Sequence, residues 1–492
     1  MENNTSIYSK QNPKIRQILE QAGSPAKALC GALDYAKSQH VVLLCNGFGD
    51  ILKKCFSINN SPKGVEKLLE EVRSACVHRG IKKEHVFFGG EDSPAYAQNF
   101  IQTLSDNGYL VARINAWEAK QQRDNHQAST DQLDVRAIAK TLLSKASYCD
   151  QDQPKAILAL KEFCRTRSHF VNHSTEQKLH IHHQASRLFP QFLNQKQSGI
   201  APFSRSALAL MAEDFSPEQI RGRRRDQLVG FLQRHGHEDS EQAADKLKAL
   251  AAEVLAPCSQ MRVCWQAALA QHVLQYQSLS QSVTALEKEM ARSLAKTGGA
   301  LLTTIGGIGV VLAAGVLAEL GEPAGWKGVR FLCSYSGIVP RTSQTGGPDK
   351  PARTGTVQRR CNRRAKNWIV QAASSVGKWG PPELQSQYAQ LQANGQHADF
   401  VMGKRLLRIF KDVMRRGTVY RPKSLLSPET PTSELVAYYR ALWDRLLKKW
   451  QGLVEWEELF DPSYPLGQWR QMAQELYQFS LPLPKKRSGK AT

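Results

Sequence analysis

Apolar and polar positions follow two rhythms along this chain, and the change of rhythm divides it. After a polar lead-in over residues 1–28, a first apolar run ends at Ala32-Leu33-Asp34. A second is His40-Val41-Val42-Leu43-Leu44-Cys45, and a third runs from Ile51 to Ile58 beyond the turn Asn46-Gly47-Phe48-Gly49-Asp50. Runs of this length between turn residues predict strands. Ser61-Pro62 then opens a helix with Val65, Leu68, Leu69 and Val72 on one face, capped by Asn59 or Ser61. Residues 84–89 predict a fourth strand, 96–104 a helix, 109–114 a fifth strand and 131–143 another helix. A meander of three strands followed by alternating helix and strand predicts a mixed sheet with flanking helices.

That element order is the ribonuclease H-like one, and it ends near residue 148. Residues 149–297 read as helical, broken by a loop near 196–206. Trp265, Leu269, Val273, Tyr276, Leu279, Val283, Leu286 and Met290 form a near-heptad seam, which predicts a long helix paired either within the chain or with a second copy. Residues 298–420 form a further unit, mostly helical. A Pro- and Ser-rich linker over 421–432 leads to a Trp-rich helical extension, 421–492 in all, ending in the basic tail Lys485-Lys486-Arg487. From Thr297 to Ala318 the chain has 22 residues without a charge, long enough to span a bilayer. Its glycines, above all Ile305-Gly306-Gly307-Ile308-Gly309, break a helix. Two helices of about ten residues around a Gly turn are expected instead of an anchor.

At 492 residues the chain suggests about three domains, and its 41% hydrophobic content excludes a wholly disordered protein. Lys and Arg total 66 against 44 Asp and Glu, a formal charge of +22, which points to a polyanionic partner. Ten Cys without a C-x-x-C, behind an N-terminus that is polar rather than apolar, suggest reduced thiols in the cytoplasm.

Four carboxylates carry candidate chemistry. Asp34 ends an apolar strand, where a lone acid is costly, and Glu91 follows the fourth strand in the same way. Asp131 and Asp134, three apart at a helix start, share a face. The helix dipole alone accounts for this last pair. Four acids converging from separate elements suit hard divalent cations such as Mg²⁺, which serve phosphodiester chemistry. Asp50 and Asp92 read as turn residues.

The segments Gly31-Ala32-Leu33-Asp34-Tyr35-Ala36-Lys37, Glu91-Asp92-Ser93-Pro94-Ala95-Tyr96 and Ser129-Thr130-Asp131-Gln132-Leu133-Asp134-Val135-Arg136 together resemble the acidic tetrad of the insertion sequence 110 transposases. The later IGGIG stretch, the Pro340-Arg341 segment, the Gly346-Gly347 loop and the basic helix that follows resemble that family's second domain. The likeness spans roughly 30–145 and 300–375. It implies a RuvC-like catalytic domain binding Mg²⁺ through Asp34, Glu91, Asp131 and Asp134, a helical or coiled-coil middle, and a second domain with a hydroxyl nucleophile. It implies DNA recombination guided by an RNA from the mobile element, with DNA ends and target as partners and a homodimer or higher homo-oligomer as the assembly. The family's nucleophile is a Ser directly before Gly; here Thr345 stands at that place, with Ser343 the competing hydroxyl.

Two segments suit phosphate gripping. Gly307 and Gly309 let backbone N–H groups approach an anion, although a tight turn between core helices explains them equally well. Arg341 lies just before the proposed nucleophile loop, and Arg353, Arg359, Arg360, Arg363, Arg364 and Lys366 follow it. Arg221 and Arg223–Arg225 form another cluster, suited to RNA. His169, His173, His180, His182 and His183 lack a metal-ligand pattern and read as polar helix surface or nucleic-acid contact. The alternatives are a RuvC-like nuclease using the metal site alone, or a non-catalytic nucleic-acid-binding derivative.

Overall fold

The computed structural model describes residues 11–484 except 92–93, 125–129, 145–146, 148–154, 214, 323–327, 344–352 and 358–360; of 94–95, 340–343 and 353–357 it describes only the backbone. The chain divides into two compact units, Met1–Pro154 and Lys155–Thr492.

The first unit is built on β1 (Leu29–Asp34), β2 (Gln39–Asn46), β3 (Ile51–Asn59), β4 (Val86–Glu91) and β5 (Leu110–Ile114), in the order β3-β2-β1-β4-β5. β1, β2 and β3 are antiparallel neighbours, whereas β1, β4 and β5 run parallel. This is the mixed sheet expected from the sequence. Side chains alternate across it. Leu29 and Leu33 meet α2 (Pro62–Arg79) and α3 (Pro94–Asp106) on one face. Cys30 and Ala32 meet α1 (Pro13–Gln21), α4 (Ala116–Lys120) and α5 (Asp131–Ser144) on the other. Ser61 caps α2, its hydroxyl accepting from the Gly64 amide.

In the second unit, α6 (Lys155–Leu188) and α12 (Ser259–Ala295) form an antiparallel hairpin. Arg167 pairs with Glu287, Gln177 with His272, and Arg187 lies over the Trp265 ring. The near-heptad seam therefore finds its partner within the chain. It is buried at its ends, at Leu269, Val273 and Met290, and half-exposed between them. From 165 to 180 on α6 and from 274 to 289 on α12 no residue is buried, so a two-helix rod about 24 Å long joins two cores. At one end α7 (Gln195–Ser198), α8 (Arg205–Ala212), α9 (Pro217–Gly222), α10 (Arg225–Arg234) and α11 (Ser240–Glu253) pack around Phe189, Phe192 and Phe215.

At the other end lies the largest core of the described residues. The uncharged stretch runs through its centre as a 3-10 helix (Gly298–Thr304), a turn and α13 (Val310–Leu320). The first of the two expected helices is thus a tighter, shorter one. Burial on every side explains the absence of charge, and among the described residues no helix is long and apolar enough to cross a membrane. Around it pack α14 (Val329–Tyr335), the hairpin β6 (Pro340–Ser343) and β7 (Arg353–Val357), α15 (Arg363–Trp379), α16 (Pro382–Ala393) and α17 (Ala398–Arg416). The Trp-rich extension, α18 (Thr432–Trp450), α19 (Trp456–Leu459) and α20 (Pro465–Tyr477), shares this core. Trp450 Nε1 donates to Thr303 Oγ1 (3.1 Å), and the Tyr420 amide donates to Thr304 Oγ1 (3.0 Å). The segment read as a linker therefore joins two parts of a single core.

Candidate active site and nucleic-acid interface

Asp34 and Glu91 end β1 and β4, parallel neighbours registered Leu33 to Gly90, so the two acids stand side by side. This is the carboxyl edge of the parallel strands, where open α/β sheets place their ligands. One glycine brings the other acids towards it. A Cβ on Gly89 would lie 2.4 Å from the Leu142 side chain, so its absence lets α5 settle on β4. A Cβ on Gly90 would lie 2.3 Å from the Tyr35 ring, so this glycine makes room for Tyr35 instead. Asp131 and Asp134 occupy the first turn of α5, where the helix dipole favours acids.

The electrostatics record the convergence. Burial pushes the Asp34 carboxyl above its ordinary range, helped by Asp134 and Asp131. Burial also raises Glu91, helped by Asp34 and Asp134. Carboxylates that raise one another are short of positive charge. One cation is already present: Arg123 Nε pairs with Asp134 Oδ1 at 2.5 Å, both side chains mostly buried. Arg123 pulls Asp34 and Glu91 back down, and Lys120 does the same for Glu91. The sequence reading missed Arg123 and Lys120. Their only signal was a position between the fifth strand and the acidic helix.

Two half-buried carboxylates, Asp34 and Glu91, raised further by Asp134 nearby, suit a hard divalent cation. Among the described residues no three potential ligands already stand grouped as a metal site, and Arg123 holds Asp134. The acids share one field without yet sharing one coordination sphere.

In the second unit, β6 and β7 pair with Thr342 opposite Thr354 and Ser343 opposite Arg353. Ser343 therefore ends β6 at the connected end of the hairpin, next to residues 344–352, and Arg341 and Arg353 lie on its two strands. Thr345, Arg359 and Arg360 lie outside the described residues. α15 begins at Asn362, whose side chain accepts from the Arg364 and Ala365 amides. Its Nδ2 donates to Glu319 Oε2 and to the Tyr335 hydroxyl, each at 2.9 Å. Burial raises the Glu319 carboxyl, but hydrogen bonds from Asn362 and Arg165 outweigh it and hold the group below its ordinary range. A buried anion thus anchors the helix start. Arg363 and Arg364 are exposed in the first turn, which contains no acid. The helix dipole disfavours cations there, so an anionic partner has both the dipole and the guanidinium groups to meet. Lys366 leans over the Phe400 ring.

Gly307 (φ +80°) has a packing reason. A Cβ there would lie 2.8 Å from the Ser375 carbonyl, and the Ser375 hydroxyl donates to the Gly307 carbonyl at 2.6 Å. Gly309 faces open space at the start of α13. Lys449, from α18, donates to the carbonyls of Thr303, Ile305 (2.8 Å) and Ile308 (2.7 Å), clasping the loop from behind. The arginine cluster in the helical bundle is partly spent internally: Arg225 forms a bidentate pair with Asp245, and Arg223 pairs with Glu213. His180 stacks on His272 across the rod, and His169 meets His173. Asn46 Nδ2 donates to Asp50 in its turn, as expected of a turn residue.

Residues 31–190 match the family model for the DEDD transposase of insertion sequence IS110. Residues 299–389 match a second model, described as transposase of the IS116/IS110/IS902 family. No curated protein matches the chain. The first match carries a divalent-metal requirement, and the two together carry DNA as a partner.

Proposed function

The chain belongs to the IS116/IS110/IS902 family of transposases, and from that premise we propose that it cuts and rejoins DNA with two sets of groups. The first set is Asp34, Glu91, Asp131 and Asp134, which would hold Mg²⁺. The ion would supply positive charge against the scissile phosphate. The observation that carries this reading is the placement of Asp34 and Glu91 side by side at the ends of neighbouring parallel strands, both carboxyls raised by burial and by Asp134 nearby. Arg123, paired with Asp134 in this structure, would stand beside such an ion as a second positive charge.

The second set is the hydroxyl of Thr345, with Ser343 as the rival. The hydroxyl oxygen attacks phosphorus and loses its proton to solvent or a nearby base. An ester forms between protein and DNA while the bond to the 3′ oxygen breaks, releasing a 3′ hydroxyl. Attack by a 3′ hydroxyl on that ester reverses the exchange and restores the side-chain hydroxyl. Arg341, Arg353, Arg359, Arg360, Arg363, Arg364 and Lys366 would neutralise phosphates around it, with the backbone at Gly307 and Gly309 as a further contact. Such contacts position a strand without reading it, which agrees with sequence choice delegated to a guide RNA. A homodimer or higher homo-oligomer is the assembly that this reading expects.

Trapping on denaturing gels tests the hydroxyl. Thr345→Ala should abolish the covalent protein–DNA species while Ser343→Ala keeps it. Recombination surviving both substitutions would overturn the hydroxyl reading, whereas cleavage without a covalent species or rejoining would leave the metal-only nuclease.

A further inference from the structure

A cleft of about 780 Å³ opens between α16, α17 and the segment 418–426, lined by none of the residues assigned above. Its inner wall is apolar, with Leu384, Ile409, Val413 and Val419, and Leu426 stands half-exposed at the edge. Five cations line it against two carboxylates. Two of the cations are engaged. Arg405 donates to Gln387 Oε1 at 2.8 Å, and Arg421 lies over the Tyr439 ring and reaches the Tyr477 hydroxyl. Glu383 is engaged too, accepting from the Tyr420 hydroxyl and the Lys423 amide. Arg408, Arg416 and Lys423 remain, exposed and without an ion pair among the described residues. Asp412, one helical turn from both arginines, offsets part of their charge.

We propose that this cleft binds an unpaired nucleotide of a nucleic-acid strand, its phosphates on Arg408, Arg416 and Lys423 and its base on the apolar wall. A duplex keeps its bases paired inward and would meet only the charged lip; a single strand satisfies both surfaces. A cavity of this volume is the size of small-ligand pockets. The inference rests on the reading of the chain as a nucleic-acid enzyme, yet it concerns a site separate from the acids and the hydroxyl.

The test is fluorescence anisotropy of the full-length chain with short labelled single-stranded RNA, single-stranded DNA and duplex DNA over a salt series. R408E/R416E should lower single-strand affinity about tenfold or more, and should flatten the salt slope by roughly two. Duplex affinity should change less, and L426D should weaken single-strand binding with no change in slope. K54E/K63E, an equal charge change at exposed positions of the first unit, should alter neither. R408K/R416K should restore most of the affinity, which excludes misfolding as the cause. The RNA and DNA arms show which sugar the cleft prefers. Single-strand affinity and slope unchanged in R408E/R416E would overturn the proposal, as would an acidic peptide displacing the oligonucleotide with higher affinity. A chain that binds single strands through the cleft but neither cleaves nor rejoins DNA would uphold the cleft and overturn the transposition reading alone.

Discussion

In the first unit Asp34 and Glu91 share one half-buried edge, Asp134 acts on both and Asp131 on Asp34, and Arg123 pairs with Asp134. In the second unit Arg363 and Arg364 stand exposed at a helix start, with no ion pair among the described residues. Both regions place like charges together, and they differ in burial. At the acidic edge partial burial turns proximity into repulsion that shifts protonation, so the site asks for a compact, highly charged ion. At the basic helix start water screens the cations from one another, and they are available to a long, spaced polyanion. The same physical cost, like charge beside like charge, suits a compact cation in one place and a spaced polyanion in the other.

The largest effect should come from the acidic edge. Asp34→Asn should lower strand cleavage by about 10²–10³-fold or more, measured on labelled DNA with Mg²⁺, while leaving DNA affinity near that of the parent. Equal activity would remove Asp34 from the chemistry and break the comparison on its acidic side. Next comes the basic helix start. R363E/R364E should weaken duplex binding about tenfold and reduce the salt slope by roughly two; an unchanged slope would make these cations a solvated face only.

The smallest effect is on stability. The Asp34 and Glu91 carboxyls are raised in the folded chain, so the fold binds their protons more tightly than the unfolded chain does. Their contribution is fully present below the unfolded carboxylate range and is lost as pH rises through the raised folded values. At neutral pH a divalent ion should offset that loss, by about 2.7 kcal/mol at one hundred times its Kd. Thermal melts should show stabilisation by Mg²⁺ at pH 7 that fades towards pH 4. In D34N/E91Q that stabilisation should largely vanish. Equal stabilisation of parent and variant would place the ion elsewhere.

Much of the fold was legible because its strands are short apolar runs between turn residues. Leu29–Asp34 and His40–Cys45 need no distant partner to declare themselves. The four acids were legible for a related reason: Asp34 and Glu91 end apolar strands, where a charge is out of place. Arg123 was not legible, because an arginine in a connecting loop resembles any other until α5 folds back beside it. The seam on α12 showed its periodicity but not its partner, since a heptad pattern is the same whether the second helix lies in the same chain or another. Gly307 suited either a phosphate approach or a tight turn between core helices, and the structure adds Ser375 and Val376 as near neighbours, a contact 68 residues away that no local pattern encodes. The extension after 432 looked separable because a Pro- and Ser-rich stretch precedes it; its tryptophans instead fill the core around Thr303.

By itself, then, the sequence determined the strands of a mixed sheet and the positions of two acids out of place at strand ends, because periodicity and the cost of burying charge act locally along the chain. Only the tertiary structure decided that these acids press on one another, that Arg123 answers one of them, that α6 completes the rod, and that three cations edge an apolar cleft. Each of these depends on distances between residues far apart in sequence, and charge interactions and packing follow distance in space.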